Sequence, residues 1–198
     1  MKQVNGRQSE YRTVKFTAEM REAENGQQKM ILRGYPILFN TPTKVYDFWY
    51  GEVTETILPT ALDGVNLDEV CLLVGHNANM ILGRNRVNMR LEIDETGLFM
   101  ECELPATQCA RDTYVLVEMG IMDGMSFGFN SEDRVNPETL TRTITHFSEV
   151  YEVTITPFPA YKETVVMATD GKTDDKKPVT PQEKLAEEIQ NTINSWEE

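Results

Sequence analysis

Residues 123–129 read Asp-Gly-Met-Ser-Phe-Gly-Phe, a strand-like stretch in which Ser126 stands between two glycines. Small neighbours let a backbone approach a carbonyl group closely and direct amide N–H groups at it. A serine hydroxyl that attacks such a carbonyl needs a nearby base to take its proton. The stretch therefore predicts a strand that carries a candidate nucleophile, although a small residue in a tight turn would fit the same glycines.

Two histidines in the chain are the candidates for that base. His76 follows the apolar run Val70–Val74, which predicts a buried strand that ends at the histidine. An imidazole is suited to proton transfer near neutral pH. If His76 reaches Ser126 in space, the pair indicates a serine hydrolase, with a protease as the first interpretation. A hydrogen-bonded core histidine is the structural alternative.

The spacing Gly124-x-Ser126-x-Gly128 also matches a nucleophile elbow, but its context does not. In that fold the serine lies on a strand-to-helix turn, and the acid and then the histidine follow it in the chain. Here only His146 follows Ser126, too closely to leave room for the acid-bearing part of such a sheet, and the segment after Ser126 is strand-like. The elbow interpretation is rejected.

Composition narrows the function classes. The chain has 198 residues, 40% of them apolar, and a net charge of −13, which argues against a nucleic-acid partner. It shows no uninterrupted apolar run of membrane-spanning length and no apolar signal core at the N-terminus. Cys71, Cys102 and Cys109 lack metal-binding spacing, so we expect reduced thiols in a cytoplasmic setting. No metal, nucleotide or other cofactor is expected.

Alternating hydrophobicity predicts many strands and few helices. A strand pair flanks Asn25-Gly26, and a hairpin turns at Thr96-Gly97. Residues 40–60 indicate a loop with one short strand, and Pro59–Asp63 the start of a short helix. A longer helix is predicted over Ala106–Met119, ended by Gly120. Its apolar face is formed by Ala110, Tyr114, Val115 and Val117. Further strands are predicted over Leu140–Ile144 and Tyr151–Thr156. The fold class is mostly β (α+β), a barrel with helices packed outside.

Composition also divides the chain into segments. Residues 1–10 are polar and expected to be disordered, and residues 11–168 form the domain. Residues 169–180 indicate a charged linker. Residues 181–198 predict an amphipathic helix for recruitment or assembly, with a solubilising acidic tail as the alternative. Its apolar positions, four residues apart and followed by Trp196, are Leu185, Ile189 and Ile193.

A series of short motifs, in order over about residues 30–165, resembles the prohead maturation proteases of tailed bacteriophages, which share a fold with herpesvirus assemblins. The motifs are Leu32-Arg33-Gly34-Tyr35, Pro59-Thr60-Ala61-Leu62, Leu72-Leu73-Val74-Gly75-His76-Asn77, Ile81-Leu82-Gly83-Arg84, Asp94-Glu95-Thr96-Gly97-Leu98, Gly120-Ile121-Met122-Asp123-Gly124-Met125-Ser126-Phe127-Gly128-Phe129, Glu152-Val153-Thr154 and Pro159-Ala160-Tyr161.

The resemblance implies a herpesvirus-protease-like barrel in which Ser126 is the nucleophile, His76 the base and Glu152 the third catalytic residue. Thr154 stands where the family usually has serine. It further implies a serine endopeptidase that cuts scaffold or the N-terminal segments of the major capsid protein inside the assembling procapsid, in the host cytoplasm, and cuts itself. Self-association is expected, with no membrane or nucleic-acid partner. The alternative is a catalytically inactive, protease-like scaffold or assembly protein.

Some site residues remain open. Glu149 and Glu152 are three apart, so on a strand they point to opposite faces, and the polar face shared by Glu152 and Thr154 favours Glu152. His146 is the rival orienter of His76, because the herpesvirus relatives use a second histidine. A last candidate, Arg84, could hold an oxyanion-binding water or a substrate carboxylate, or lie on the surface.

A cysteine protease is not expected. Cys71 lies five residues before His76, so on an extended strand its thiol is predicted to point away from the imidazole. Cys102 lies within the alternation of a predicted strand and Cys109 at the beginning of the predicted helix, so both are interpreted as structural. Serine is therefore the expected nucleophile.

Overall fold

The computed structural model describes residues 10–22 and 28–157, and most of them lie in strands. The strands in chain order are β1 (Glu10–Glu22), β2 (Gln28–Leu38), β3 (Thr43–Asp47), β4 (Gly51–Ile57), β5 (Cys71–Val74), β6 (Asn77–Arg84), β7 (Met89–Ile93), β8 (Gly97–Glu103), β9 (Gly124–Ser131), β10 (Thr141–Ile144) and β11 (Phe147–Thr156). A short 3-10 helix spans Pro59–Leu62, and the helix α1 spans Gln108–Glu118.

These strands form two sheets. The large sheet has eight strands in the order β6-β5-β11-β9-β1-β2-β8-β7, and the small one has three in the order β10-β4-β3. Neighbours in the large sheet are antiparallel except β5 and β11, which run parallel. The serine strand β9 therefore lies inside the large sheet, with β11 on one side and β1 on the other.

One face of β9 builds the core. Phe127 and Phe129 are two residues apart, so they point to the same face, and their rings stack with centres 5.2 Å apart. Phe147 packs edge-on against Phe129, with ring centres 4.9 Å apart. All three rings are at most 1% exposed. Because side chains alternate across a strand, this places Ser126 and Gly128 on the opposite face. The aromatic core thus fixes which way the serine points.

Several sequence predictions are confirmed. β1 and β2 form the predicted strand pair, and β7 and β8 form the hairpin. In the predicted helix, Thr107 caps the N-terminus by accepting from the backbone N–H of Ala110. Ala110, Tyr114 and Val117 are buried as predicted, but Val115 is 47% exposed and is wrong as a member of the buried face.

Two strands were not predicted from the sequence. Residues 40–60 hold the β3–β4 hairpin instead of a single short strand, and Asp47 closes its turn by accepting from the N–H groups of Trp49 and Tyr50. β6 was not predicted, because it is an edge strand whose first five residues are exposed and carry no apolar alternation.

The predicted closed barrel is not confirmed. The edges of the large sheet are β6 and β7, and an isolated bridge between Asn85 and Met89 forms where they meet. The Asn88 side chain donates to the Leu82 carbonyl and accepts from the Arg84 N–H, each at 3.0 Å. It thereby occupies backbone groups that a β6–β7 ladder needs, so the sheet stays open over the described strands.

The predictions for residues 1–9, for the linker over residues 169–180 and for the helical tail over residues 181–198 lie outside the described residues. Within residues 10–22 and 28–157, no helix is long and apolar enough to cross a membrane.

Candidate active site

Ser126 lies on β9 and is 1% exposed. It pairs in register with Thr154 on β11 and with Thr13 on β1. Directly opposed residues of an antiparallel pair point to the same face, with Cβ atoms about 4.5–5.5 Å apart. The hydroxyl of Ser126 therefore has the Thr154 side chain as its cross-strand neighbour on the face away from the aromatic core.

Glu152 reaches the same face through an irregularity in β11. Val150 pairs with Phe129 and Glu152 with Gly128, so Tyr151 is an extra residue, as in a β-bulge. A Cβ on Gly128 would lie 2.9 Å from Glu152 Oε1 and 2.5 Å from the Tyr151 ring. Both side chains therefore lie over Gly128. Regular alternation would place Tyr151 and Glu152 on opposite faces of β11, and the bulge shifts that alternation.

His76 occupies the turn between β5 and β6. Val74 pairs with Asn77, so Gly75 and His76 form a two-residue hairpin turn with φ of +59° and +58°. Hairpin turns of this length favour positive φ at both positions, because that geometry matches the twist of the strands. Glycine adopts it freely, whereas histidine pays about 1 kcal/mol. The turn projects the His76 side chain from the end of β5.

Backbone bonds hold this turn against β11. Gly75 donates its N–H to the Ile155 carbonyl at 2.9 Å, and His76 donates its N–H to the Thr154 hydroxyl at 3.0 Å. Since Thr154 is opposite Ser126 in the sheet, the backbone of His76 contacts the cross-strand neighbour of the serine. The two residues predicted as base and nucleophile are thus gathered around one threonine.

The His76 ring is bonded to Glu152. Nδ1 lies 2.8 Å from Oε1, and the Glu152 side chain is 6% exposed against 27% for His76. An Nδ1–H that donates to the carboxylate leaves the Nε2 lone pair available to accept a proton. Glu152 Oε2 is buried and has no hydrogen-bond partner among the described residues.

The rival residues lie elsewhere. His146 is exposed in the turn between β10 and β11, where its N–H points to Asp133 Oδ2 at 3.4 Å. Glu149 is also exposed and accepts from the Asn130 side chain at 3.0 Å. Neither side chain is hydrogen-bonded to His76 in the part of the chain that the structure describes. The geometry thus supports Glu152 as the partner of His76.

Arg84 and the cysteines have contacts of their own. Arg84 forms an exposed ion pair with Glu69, which favours the surface interpretation. Burial, and then the charge of Glu152, raise the pKa of the Cys71 thiol. Burial, with a smaller contribution from Glu103, raises the pKa of Cys102 to about 12. Thiols with raised pKa are poor nucleophiles at neutral pH, which supports serine over cysteine as the attacking group.

Sequence reasoning missed two members of this site, the hydroxyl of Thr154 and the Tyr151 ring. The sequence placed Thr154 in a motif and on the polar face of Glu152, but its contact with His76 depends on the turn docking against β11. A signal for the turn was present, since a glycine followed by a polar residue after a short apolar strand is typical of a two-residue hairpin. Over the described residues, no group of three or more potential ligands could hold a metal ion.

A family model described as caudovirus prohead serine protease matches residues 16–177. The chain belongs to this family. Caudovirus prohead proteases act in phage capsid assembly, so the resemblance in the sequence motifs is confirmed at the level of family and protease activity.

The fold agrees with a solved structure of the same kind. The chain is similar to the capsid assembly protease of bacteriophage T4, with a TM-score of 0.51 and 8% identity over 75% of this chain and 97% of that one. At this identity the likeness shows the fold alone. None of the curated proteins compared with the chain matches it.

Proposed function

We propose that this chain is a serine endopeptidase of phage capsid assembly in which Ser126 is the nucleophile, His76 the general base and Glu152 the residue that orients His76. The observation that carries the proposal is the chain of contacts from Glu152 to His76 to Thr154, which is opposite Ser126. Family membership supports protease chemistry, and the contacts support these three residues as its agents.

The mechanism follows from the roles of the three groups. His76 Nε2 takes the proton of Ser126 as Oγ attacks the scissile carbonyl, and later gives it to the leaving amine. Water, activated by the same nitrogen, then hydrolyses the acyl-enzyme. Glu152 holds the ring in the Nδ1–H tautomer and stabilises the imidazolium that forms at each transfer. Its carboxylate is buried, and Oε2 has no hydrogen-bond partner among the described residues, which suits that second task.

The proposed substrates are scaffold and the N-terminal segments of the major capsid protein, cut inside the assembling procapsid, together with the protease itself. Membership in a family of prohead proteases supports this class of substrate. A catalytically inactive, protease-like scaffold protein is the alternative, and it predicts that removal of Ser126 changes no cleavage.

The test is co-expression of the chain with the capsid and scaffold proteins, read by intact-mass spectrometry of every product. Ser126→Ala is expected to abolish cleavage of the partners and of the chain itself, because loss of a triad serine costs on the order of 10⁶ in kcat. Ser148→Ala is the matched control, since Ser148 is exposed on β11 and its hydroxyl donates to the Asn130 carbonyl. Equal cleavage by wild type and Ser126→Ala would rule out Ser126 as nucleophile.

A further inference from the structure

The backbone of His76 is held in a conformation that it does not prefer. Its φ is +58°, in the left-handed region where a side chain other than glycine is strained. The turn has two residues, so any relaxation of this φ swings the Cβ of His76 and redirects the imidazole. The ring therefore needs an anchor on its backbone as well as on its side chain.

Thr154 supplies the backbone anchor. Its Oγ1 accepts the His76 N–H at 3.0 Å, and the residue is 0% exposed, so water cannot take over the contact. Its own position is fixed on both sides, by Leu73 on β5 and by Ser126 on β9. The hydroxyl thus ties the histidine to the strand position opposite the serine.

We propose that Thr154 is a positioning residue for catalysis, whose hydroxyl holds His76 in register between Glu152 and Ser126. The inference rests on the proposed function of these three residues. The side chain touches neither substrate nor reacting atoms in this role. It acts by fixing His76 at a second point: Thr154 holds the backbone nitrogen, and Glu152 holds Nδ1 of the ring.

The decisive variant is Thr154→Val, which keeps the shape of the side chain and removes the acceptor. We expect kcat on the peptide cut in the co-expression test to fall roughly 10- to 100-fold, the cost of a small misplacement of a catalytic group, with KM unchanged. Thr154→Ser keeps the hydroxyl and is expected to restore kcat. Thr113→Val is the matched control, because Thr113 is a buried threonine on α1, 3% exposed.

A second measurement is independent of hydrolysis. The chain has two histidines, so in a His146→Gln background the imidazole nitrogens seen by NMR belong to His76. At mildly alkaline pH we expect the Nδ1–H tautomer in the parent and in Thr154→Ser, and a mixture of tautomers in Thr154→Val. The backbone amide of His76 is expected to exchange slowly with solvent in the parent and in Thr154→Ser, and rapidly in Thr154→Val.

The outcomes separate the two proposals. Loss of kcat in Thr154→Val with rescue by Thr154→Ser supports the positioning role. Unchanged kcat and an unchanged tautomer in Thr154→Val would overturn it and leave Thr154 with a role in packing alone. If the wild-type chain hydrolyses nothing, the proposed function fails, and the NMR result still decides the contact. If Thr154→Val does not fold, rapid exchange of the His76 amide in the parent overturns the proposal and slow exchange supports it.

Discussion

The two histidine turns of this protein have the same length and opposite surroundings. Gly75 and His76 join β5 to β6, and Thr145 and His146 join β10 to β11. In the first turn the ring is bonded to a buried carboxylate and the backbone to a buried hydroxyl. In the second the ring is exposed and the backbone N–H points to Asp133.

The difference lies in what each turn packs against. The first docks on β11 beside the serine strand, so its polar contacts are shielded from water and directed at one face of the large sheet. The second makes a corner between the two sheets, and Asp133 serves its backbone there. Burial and direction, rather than the presence of histidine and acid, therefore separate a candidate catalytic turn from a structural one.

The strongest test of this comparison removes the carboxylate of the first turn in one variant and the histidine of the second turn in another. Glu152→Gln is expected to lower kcat by roughly 10⁴, because the amide no longer stabilises the imidazolium or selects the tautomer. His146→Ala is expected to leave kcat close to wild type, since its ring is exposed and, among the described residues, makes no hydrogen bond to Ser126, His76 or Glu152. Both are measured as peptide hydrolysis by the purified chain.

The opposite result would reassign the site. If His146→Ala removes activity and Glu152→Gln is mild, His146 orients the base, as in the herpesvirus relatives that resemble this family. Thermal unfolding of both variants is the control, because an activity loss explained by unfolding would accompany a large fall in Tm.

A smaller loss of activity is expected when Glu152, the partner of His76, is displaced but not replaced. In Gly128→Ala the new methyl would lie 2.5 Å from the Tyr151 ring and 2.9 Å from Glu152 Oε1, so both side chains have to shift and the contact of Oε1 with His76 is disturbed. A shift of this size is expected to cost on the order of 10² in kcat. Steady-state kinetics measure it.

Gly83→Ala is the matched control for crowding. A Cβ there would meet Cys102 Sγ at 2.5 Å and the Asn88 side chain at 3.2 Å, neither of which belongs to the candidate site. We expect a fall in Tm with hydrolysis retained. If Gly128→Ala and Gly83→Ala lose activity only in proportion to stability, the position of Glu152 over Gly128 has no catalytic meaning.

The smallest effect concerns the second turn. Burial alone would raise the pKa of Asp133, but hydrogen bonds from Thr145, Ser131 and His146 outweigh it and hold the pKa below its ordinary value of 3.8. Such a group stabilises the fold above its unfolded pKa, and this stability is lost as pH falls through the folded pKa. Asp133→Asn is therefore expected to cost about 1 kcal/mol at neutral pH, roughly 2–4 °C in Tm.

Thermal unfolding at neutral and at acid pH checks the sign. The gap in Tm between wild type and Asp133→Asn should close as pH falls below the folded pKa, while peptide hydrolysis at neutral pH is unchanged. A gap that stays constant with pH would show that the charge of Asp133 is not what the turn uses.

The fold was predictable where local pattern and tertiary packing agree. Alternation located the strands that bear one apolar face, such as the β7–β8 hairpin, and an apolar face followed by Gly120 located α1. It failed at β6, whose edge position leaves most side chains in water. It also failed on closure, because the side chain of Asn88 bonds to the edge that a barrel would pair.

The sequence by itself determined which residues could do chemistry here: Ser126 between glycines, two histidines, and a polar face on the last strand that favoured Glu152 over Glu149. It did not determine which of them meet. Register between β9 and β11, the bulge at Tyr151 and the left-handed turn at His76 decided that, because each depends on strands distant in the chain. Hydrogen bonds act over about 3 Å, so only the tertiary structure distinguishes His76 from His146.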